Sequence, residues 1–135
     1  MNLISWNCRG LGNPCAANAL HKLVKKQAPK LLFLKETKLN SKYFEYIRSR
    51  LGFSYYFVVP SLGRSGGLAL LWHDDVDVTI TNYSQNHIDS QVKRANGSRW
   101  RFTRFYGYPK AHRRRSSWAL LDQLHSLSSL PWLCG

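Results

Sequence analysis

One pattern near the start of the chain narrows the possible folds more than any other. Leu3-Ile4-Ser5-Trp6 reads as a short buried strand and Arg9-Gly10-Leu11-Gly12 as a turn. Asn13-Pro14 fits a helix N-cap followed by proline at the first helical position. Ala16, Ala19, Leu20, Leu23 and Val24 then recur at helical spacing. Lys25 and Lys26 suit the negative end of the helix dipole, and Pro29 stops the helix. Leu31-Leu32-Phe33-Leu34 is an apolar run short enough for a buried strand. Strand, helix, strand in that order predicts a crossover between two parallel strands.

The rest of the chain alternates less regularly. Ser41 is expected to cap a second helix with Phe44, Ile47 and Leu51 on one face, ended by Gly52. Phe53 to Val59 is aromatic and β-branched, as strands are. Ser65-Gly66-Gly67 reads as a turn into Leu68-Ala69-Leu70-Leu71-Trp72. Val76, Val78 and Ile80 alternate with polar residues in a half-exposed strand, and His87 to Val92 forms a weaker one. Asn96-Gly97 is a hairpin signal before a strand from Arg99 to Tyr106. Ser116 or Ser117 is placed at the start of a last helix carrying Trp118, Leu121 and Leu124. Pro131 to Gly135 reads as the beginning of another strand. These elements predict an α/β layered domain with helices around a mixed sheet.

Charge narrows the partner. The 135 residues carry 20 Lys+Arg against 7 Asp+Glu, a formal net charge of +13. No acidic residue occurs between Asp89 and Asp122, an interval holding nine bases: Lys93, Arg94, Arg99, Arg101, Arg104, Lys110, Arg113, Arg114 and Arg115. A second series runs from Lys22 to Lys42. Such an imbalance is the electrostatic footprint of a polyanion partner, with nucleic acid leading because phosphate neutralisation releases counterions. An anionic membrane surface is the rival, but it favours a basic amphipathic helix, whereas these bases fall mainly in strand- and loop-like stretches. No apolar run approaches the ~18 residues of a membrane span, and no membrane partner is expected. The N-terminus lacks the pattern of a secretory signal. Cys8, Cys15 and Cys134 are odd in number and match no zinc template, which favours a reducing, intracellular setting.

Parallel opening strands would place Asn7 and Glu36 just past their carboxyl ends, where open α/β sheets bind ligands. A carboxamide beside a carboxylate is adequate for Mg²⁺, which needs only one or two carboxylates and keeps several waters. A solvated loop glutamate is the plainer reading of Glu36. Tyr106 closes its strand and offers a phenol for a phosphate oxygen, or simply packs as an aromatic. His87 precedes Ile88-Asp89, and strand alternation is taken to keep Asp89 from orienting the imidazole. No Ser-His-Asp order, P-loop or HExxH is present.

Several strings appear together in a familiar order. They are Ile4-Ser5-Trp6-Asn7-Cys8-Arg9-Gly10-Leu11-Gly12, Leu34-Lys35-Glu36-Thr37-Lys38, Gly66 through Trp72, His87-Ile88-Asp89, Phe105-Tyr106-Gly107-Tyr108-Pro109, and Trp118 through Gly135. In them the chain resembles the endonuclease/exonuclease/phosphatase superfamily, and more closely the endonuclease domain of plant non-LTR (LINE-type) retrotransposon polyproteins. The resemblance implies a layered sandwich of two β-sheets flanked by helices. It implies a Mg²⁺-dependent phosphodiesterase that nicks DNA, and a nuclear location if the family role is kept. Carried over by position, Glu36 is a metal ligand, Asn7 helps hold the metal, and Tyr106 contacts the scissile phosphate. Arg9, Lys93, Arg94, Lys110, Arg113, Arg114 and Arg115 are the expected nucleic-acid contacts.

The departures are equally specific. The family continues beyond a segment like 131–135 with an Asp-x-Asn motif and later a Ser-Asp-His motif. Neither occurs here, and Lys110 stands after Pro109 where related enzymes often carry Asn. Residues 1–135 are therefore expected to form an incomplete domain, the N-terminal half, with little or no activity alone. Strands of the second sheet are expected to be missing and one sheet face uncovered. The alternatives are a non-enzymatic basic nucleic-acid-binding remnant and a degenerate product that folds poorly.

Overall fold

The computed structural model describes residues 3–39, 41–62, 66–93, 97–105 and 132–134. Strand β1 (Leu3–Asn7), helix α1 (Pro14–Gln27) and strand β2 (Leu31–Lys35) form the expected opening unit. The two strands pair in parallel, with Asn7 in register with Lys35. The Asn13 side chain accepts a hydrogen bond from the Cys15 amide at 2.9 Å, satisfying one of the orphan donors of α1. Ala28 closes the helix in a left-handed conformation, its amide donating to the Val24 carbonyl.

The second helix begins differently from the sequence expectation. Ser41–Tyr43 is a single 3₁₀ turn, and α2 (Phe44–Leu51) follows it. Its N-cap is Tyr43, and no side chain makes the capping bond. The apolar spacing of Phe44, Ile47 and Leu51 marks the face of this helix correctly, but Ser41 lies one turn too early to cap it.

Two four-stranded sheets organise the rest. The first has the order β1-β2-β4-β3, with β3 (Tyr55–Val59) and β4 (Leu68–Trp72) antiparallel to each other and β4 antiparallel to β2. The second runs β5 (Asp77–Ser84), β6 (His87–Lys93), β7 (Arg99–Phe105) and β8 (Trp132–Cys134) in that order. β7 and β8 are parallel, and the other pairs of this sheet are antiparallel. The second sheet is thus present in this chain, contrary to the expectation of an uncovered face. Leu31, Phe33, Leu68, Leu70 and Trp72 pack in one core cluster with Ile88, Val92 and Phe102 from the second sheet. The Phe33 and Phe102 rings meet edge-on, with centroids 6.5 Å apart.

On its other face the first sheet packs Leu32, Leu34, Ala69 and Leu71 with Leu20 and Val24 of α1 and Phe44 of α2. β2 and β4 are therefore buried on both faces, which is why they read as unbroken apolar runs rather than alternating ones. Each fully buried leucine or phenylalanine there contributes roughly 1.5–3 kcal/mol. The expected helix after residue 115 lies outside the described residues.

Candidate functional site

Three loops converge at the end of the first sheet where β1 and β2 finish. The Cys8 amide donates to the Lys35 carbonyl at 2.9 Å, Gly10 to Glu36 at 2.8 Å and Leu11 to Thr37 at 2.9 Å. The third loop joins through Gly66 and Gly67. Lys38 donates to the Gly66 carbonyl at 2.9 Å and Thr37 to the Gly67 carbonyl at 3.2 Å. The stitching bends the backbone hard. Arg9, Gly10, Glu36, Lys38, Gly66 and Gly67 all have positive φ, and three of them are not glycine. Left-handed non-glycine residues persist only where their surroundings hold them, and they gather at functional sites.

Asn7 and Glu36 are carried on this edge. Asn7 is exposed, and its Oδ1 accepts from the Arg9 amide at 3.2 Å, which fixes the carboxamide. Glu36 is half-buried, one residue beyond the register partner of Asn7. Its charge also reaches Cys8. Burial first, and the Glu36 carboxylate second, push the Cys8 thiol up to about 12, so Cys8 is no nucleophile. Thr37 is fully buried behind Glu36, and its Oγ1 has no hydrogen-bond partner among the described residues.

The donor set here is a carboxamide oxygen and one carboxylate. No cluster of three or more His, Cys, Asp or Glu suited to a metal occurs among the described residues. That pair fits a hard, well-hydrated divalent ion such as Mg²⁺, and it does not fit zinc.

The profile of the Endonuclease/Exonuclease/phosphatase family matches residues 4–135. The chain belongs to that family. No curated protein sequence matches it. Among solved structures, D. rerio TDP2 complexed with single-strand DNA product superposes with a TM-score of 0.73 at 19% identity, covering 99% of this chain and 58% of that one. The 3' phosphatase NExo from Neisseria, bound to a product DNA hairpin, gives 0.65 at 16% identity, covering 99% and 56%. The AP endonuclease LMAP from Leishmania major gives 0.63 at 17% identity, covering 98% and 54%. These likenesses establish the family's fold for the chain, which spans a little over half the length of those proteins.

The remaining sequence-derived candidates of this family member divide into two groups. Arg9 is exposed on the same edge as Asn7. Lys93 sits at the opposite end of β6 from His87, in register with Asp77 on one side and Arg99 on the other. Seven strand residues, roughly 20 Å, separate it from the end of β7 that leads to Tyr106. Tyr106, Arg94, Lys110, Arg113, Arg114 and Arg115 lie outside the described residues. No helix among the described residues is long and apolar enough to cross a membrane.

One polar network was not foreseen. Asp89 and Arg101 are only 2% exposed. Arg101 grips the carboxylate with Nε at 2.9 and 3.2 Å and Nη2 at 2.6 Å, and Thr103 Oγ1 donates at 2.8 Å. Arg101 therefore leaves the set of bases available to a polyanion. The signal lies in the strand pairing rather than in either strand alone: Thr103 stands directly across β6–β7 from Asp89, and Arg101 lies on the diagonal of the same face.

The expectation for His87 also needs correction. His87 and Asp89 are two residues apart on one strand, so both side chains share a face. Asp89 acts on the ring through its charge, while Ser84 Oγ lies 2.5 Å from Nδ1. Burial holds the His87 pKa below its ordinary 6.5, and the Asp89 charge opposes that only in part. The unfolded chain thus takes up this proton first as pH falls. Stability from neutral His87 is full above about pH 6.5 and declines as pH drops below it. Urea midpoints at pH 7.5 and 5.5 should therefore differ less in His87→Gln than in the parent; an equal difference would sink this assignment.

Proposed function

We propose that residues 1–135 are the N-terminal half of a retrotransposon-type DNA endonuclease domain, a Mg²⁺-dependent phosphodiesterase that does not turn over alone. The observation that carries the reading is the edge that bears Asn7, Arg9 and Glu36, where three loops with left-handed residues are cross-bonded. The quoted strings support the retrotransposon type, and the DNA-bound TDP2 and NExo structures support the partner.

In this reading Asn7 and Glu36 would hold the ion. Bound there, it would polarise a phosphoryl oxygen and stabilise the leaving group. Arg9 would add a cation beside the phosphate, and Tyr106 would contact the phosphate. Inactivity is expected in this reading because residues 1–135 carry neither the Asp-x-Asn motif, whose Asp acts on the water, nor the Ser-Asp-His motif.

Supercoiled plasmid with Mg²⁺ tests this directly. The 135-residue chain should leave it intact. A longer product supplying both motifs should nick it, and Glu36→Ala should abolish nicking. Nicking by the short chain that Glu36→Ala removes would overturn the inactive assignment.

A second reading, a non-enzymatic DNA-binding remnant, is favoured by one observation. Glu36 is the only carboxylate at this edge among the described residues. DNA affinity should then fall steeply with salt and survive Glu36→Ala. Affinity indifferent to salt would exclude a nucleic-acid partner under either reading.

A further inference from the structure

An apolar groove of about 350 Å³ opens between α1 and α2 beside the candidate site. That lies within the roughly 300–1,000 Å³ range of small-ligand pockets. Leu20 of α1 and Ile47 of α2 form its floor. Leu11 and Leu39 close the end nearest the site, and they belong to the same two loops that carry Arg9 and Glu36.

Tyr43 and Tyr46 form its rim and remain 50% and 66% exposed. Each has a cationic neighbour. The Arg50 guanidinium donates to the Tyr46 hydroxyl at 3.4 Å and to Asn18 Oδ1 at 3.2 Å, tying α2 to α1 across the groove. The Lys42 ammonium sits 5.2 Å from the centre of the Tyr43 ring. No carboxylate lines the groove among the described residues. Lys38 and Lys42 flank its entrance in sequence, and both are exposed.

An apolar slot, rimmed by two exposed phenol rings and fringed by cations, suits a flat aromatic group attached to an anion. We propose that this groove receives one unstacked nucleobase of a single strand whose phosphates pass Lys42 and Lys38 toward the Glu36 edge. The proposal rests on the nucleic-acid reading above and adds a base-binding subsite to it. Stacking on a tyrosine tolerates any base, so the groove would confer single-strand preference rather than sequence preference. An acidic amphipathic peptide is the competing occupant. It would match the charge but would leave the strand's bases without influence.

The test compares two fluorescent oligonucleotides of equal length titrated into the full chain at low salt. One carries all its bases; the other is abasic throughout, with the same phosphates. The base-bearing strand should bind at least about tenfold more tightly, the scale of one stacked base. Tyr43→Ala combined with Tyr46→Ala should remove that difference while leaving the abasic strand's affinity unchanged. Ala17→Trp, which fills the groove from α1, should do the same. Tyr55→Ala, at an exposed tyrosine on β3, should keep it. Equal binding of both strands by the parent chain, or equal weakening of both by the tyrosine pair, would overturn the groove while leaving nucleic-acid binding intact. Binding of neither strand would overturn both readings.

Discussion

Arg101→Leu is expected to destabilise the fold by about 3–5 kcal/mol, the scale for removing one partner of a buried ion pair. Total stability of a domain is only about 5–15 kcal/mol, so this variant would sit near the edge of folding. The cause is the carboxylate left behind. Asp89 is 2% exposed and would retain only the Thr103 hydroxyl among the contacts described above. The loss should not measure the net worth of the pair. Replacing both members with apolar residues, Asp89→Leu with Arg101→Met, should recover most of it, because the desolvation of two charges then disappears. Urea unfolding of the three proteins decides the matter. A single variant within about 0.5 kcal/mol of the parent, the range of ordinary surface substitutions, would show that the pair is solvated.

That pair also shows where sequence reading stopped. The opening strand, helix, strand unit was legible because its signals are local: a capping asparagine, an N1 proline, a four-residue apolar run. So was the site edge, because parallel pairing alone places Asn7 beside Lys35 and hence near Glu36. Arg101 was not legible as a buried group. It stands in a run of bases, and only the partner strand distinguishes an arginine facing solvent from one facing Asp89. The strands of the second sheet were legible one by one, but their assembly was not: alternation within a strand does not say which sheet it joins, and β5-β6-β7-β8 form a sheet of their own. For α2, helical spacing fixed the buried face, but the intervening 3₁₀ turn shifted the start away from Ser41. Tyr106 and Arg113, Arg114 and Arg115 lie outside the described residues.

Gly67→Ala is expected to disturb the candidate site more than any other substitution of similar size. Gly67 has a φ of +94°, and left-handed backbone costs an L-residue about 1–2 kcal/mol. Sterics add to that. A Cβ at this position would overlap Thr37 Oγ1 and come within 3.1 Å of the Lys38 amide nitrogen. Both belong to the loop that carries Glu36, and both bond the Gly66-Gly67 carbonyls. Thr37 is fully buried, so relief must come from moving the Glu36 loop. The Glu36 carbonyl in turn holds the Gly10 amide, which carries the displacement to the Arg9 loop. Amide NMR shifts should therefore change at Gly10, Leu11, Glu36 and Lys38, well beyond the substituted turn. Thr37→Ala separates the two causes. Its hydroxyl has no partner among the described residues, so removing it should be nearly neutral alone. In the Gly67→Ala background it should relieve the overlap and leave only the backbone cost. A double-mutant coupling of about 1 kcal/mol or more is the expected result for groups in direct contact. Strict additivity would mean that the turn, rather than its contact with Thr37, sets the geometry of the Glu36 edge.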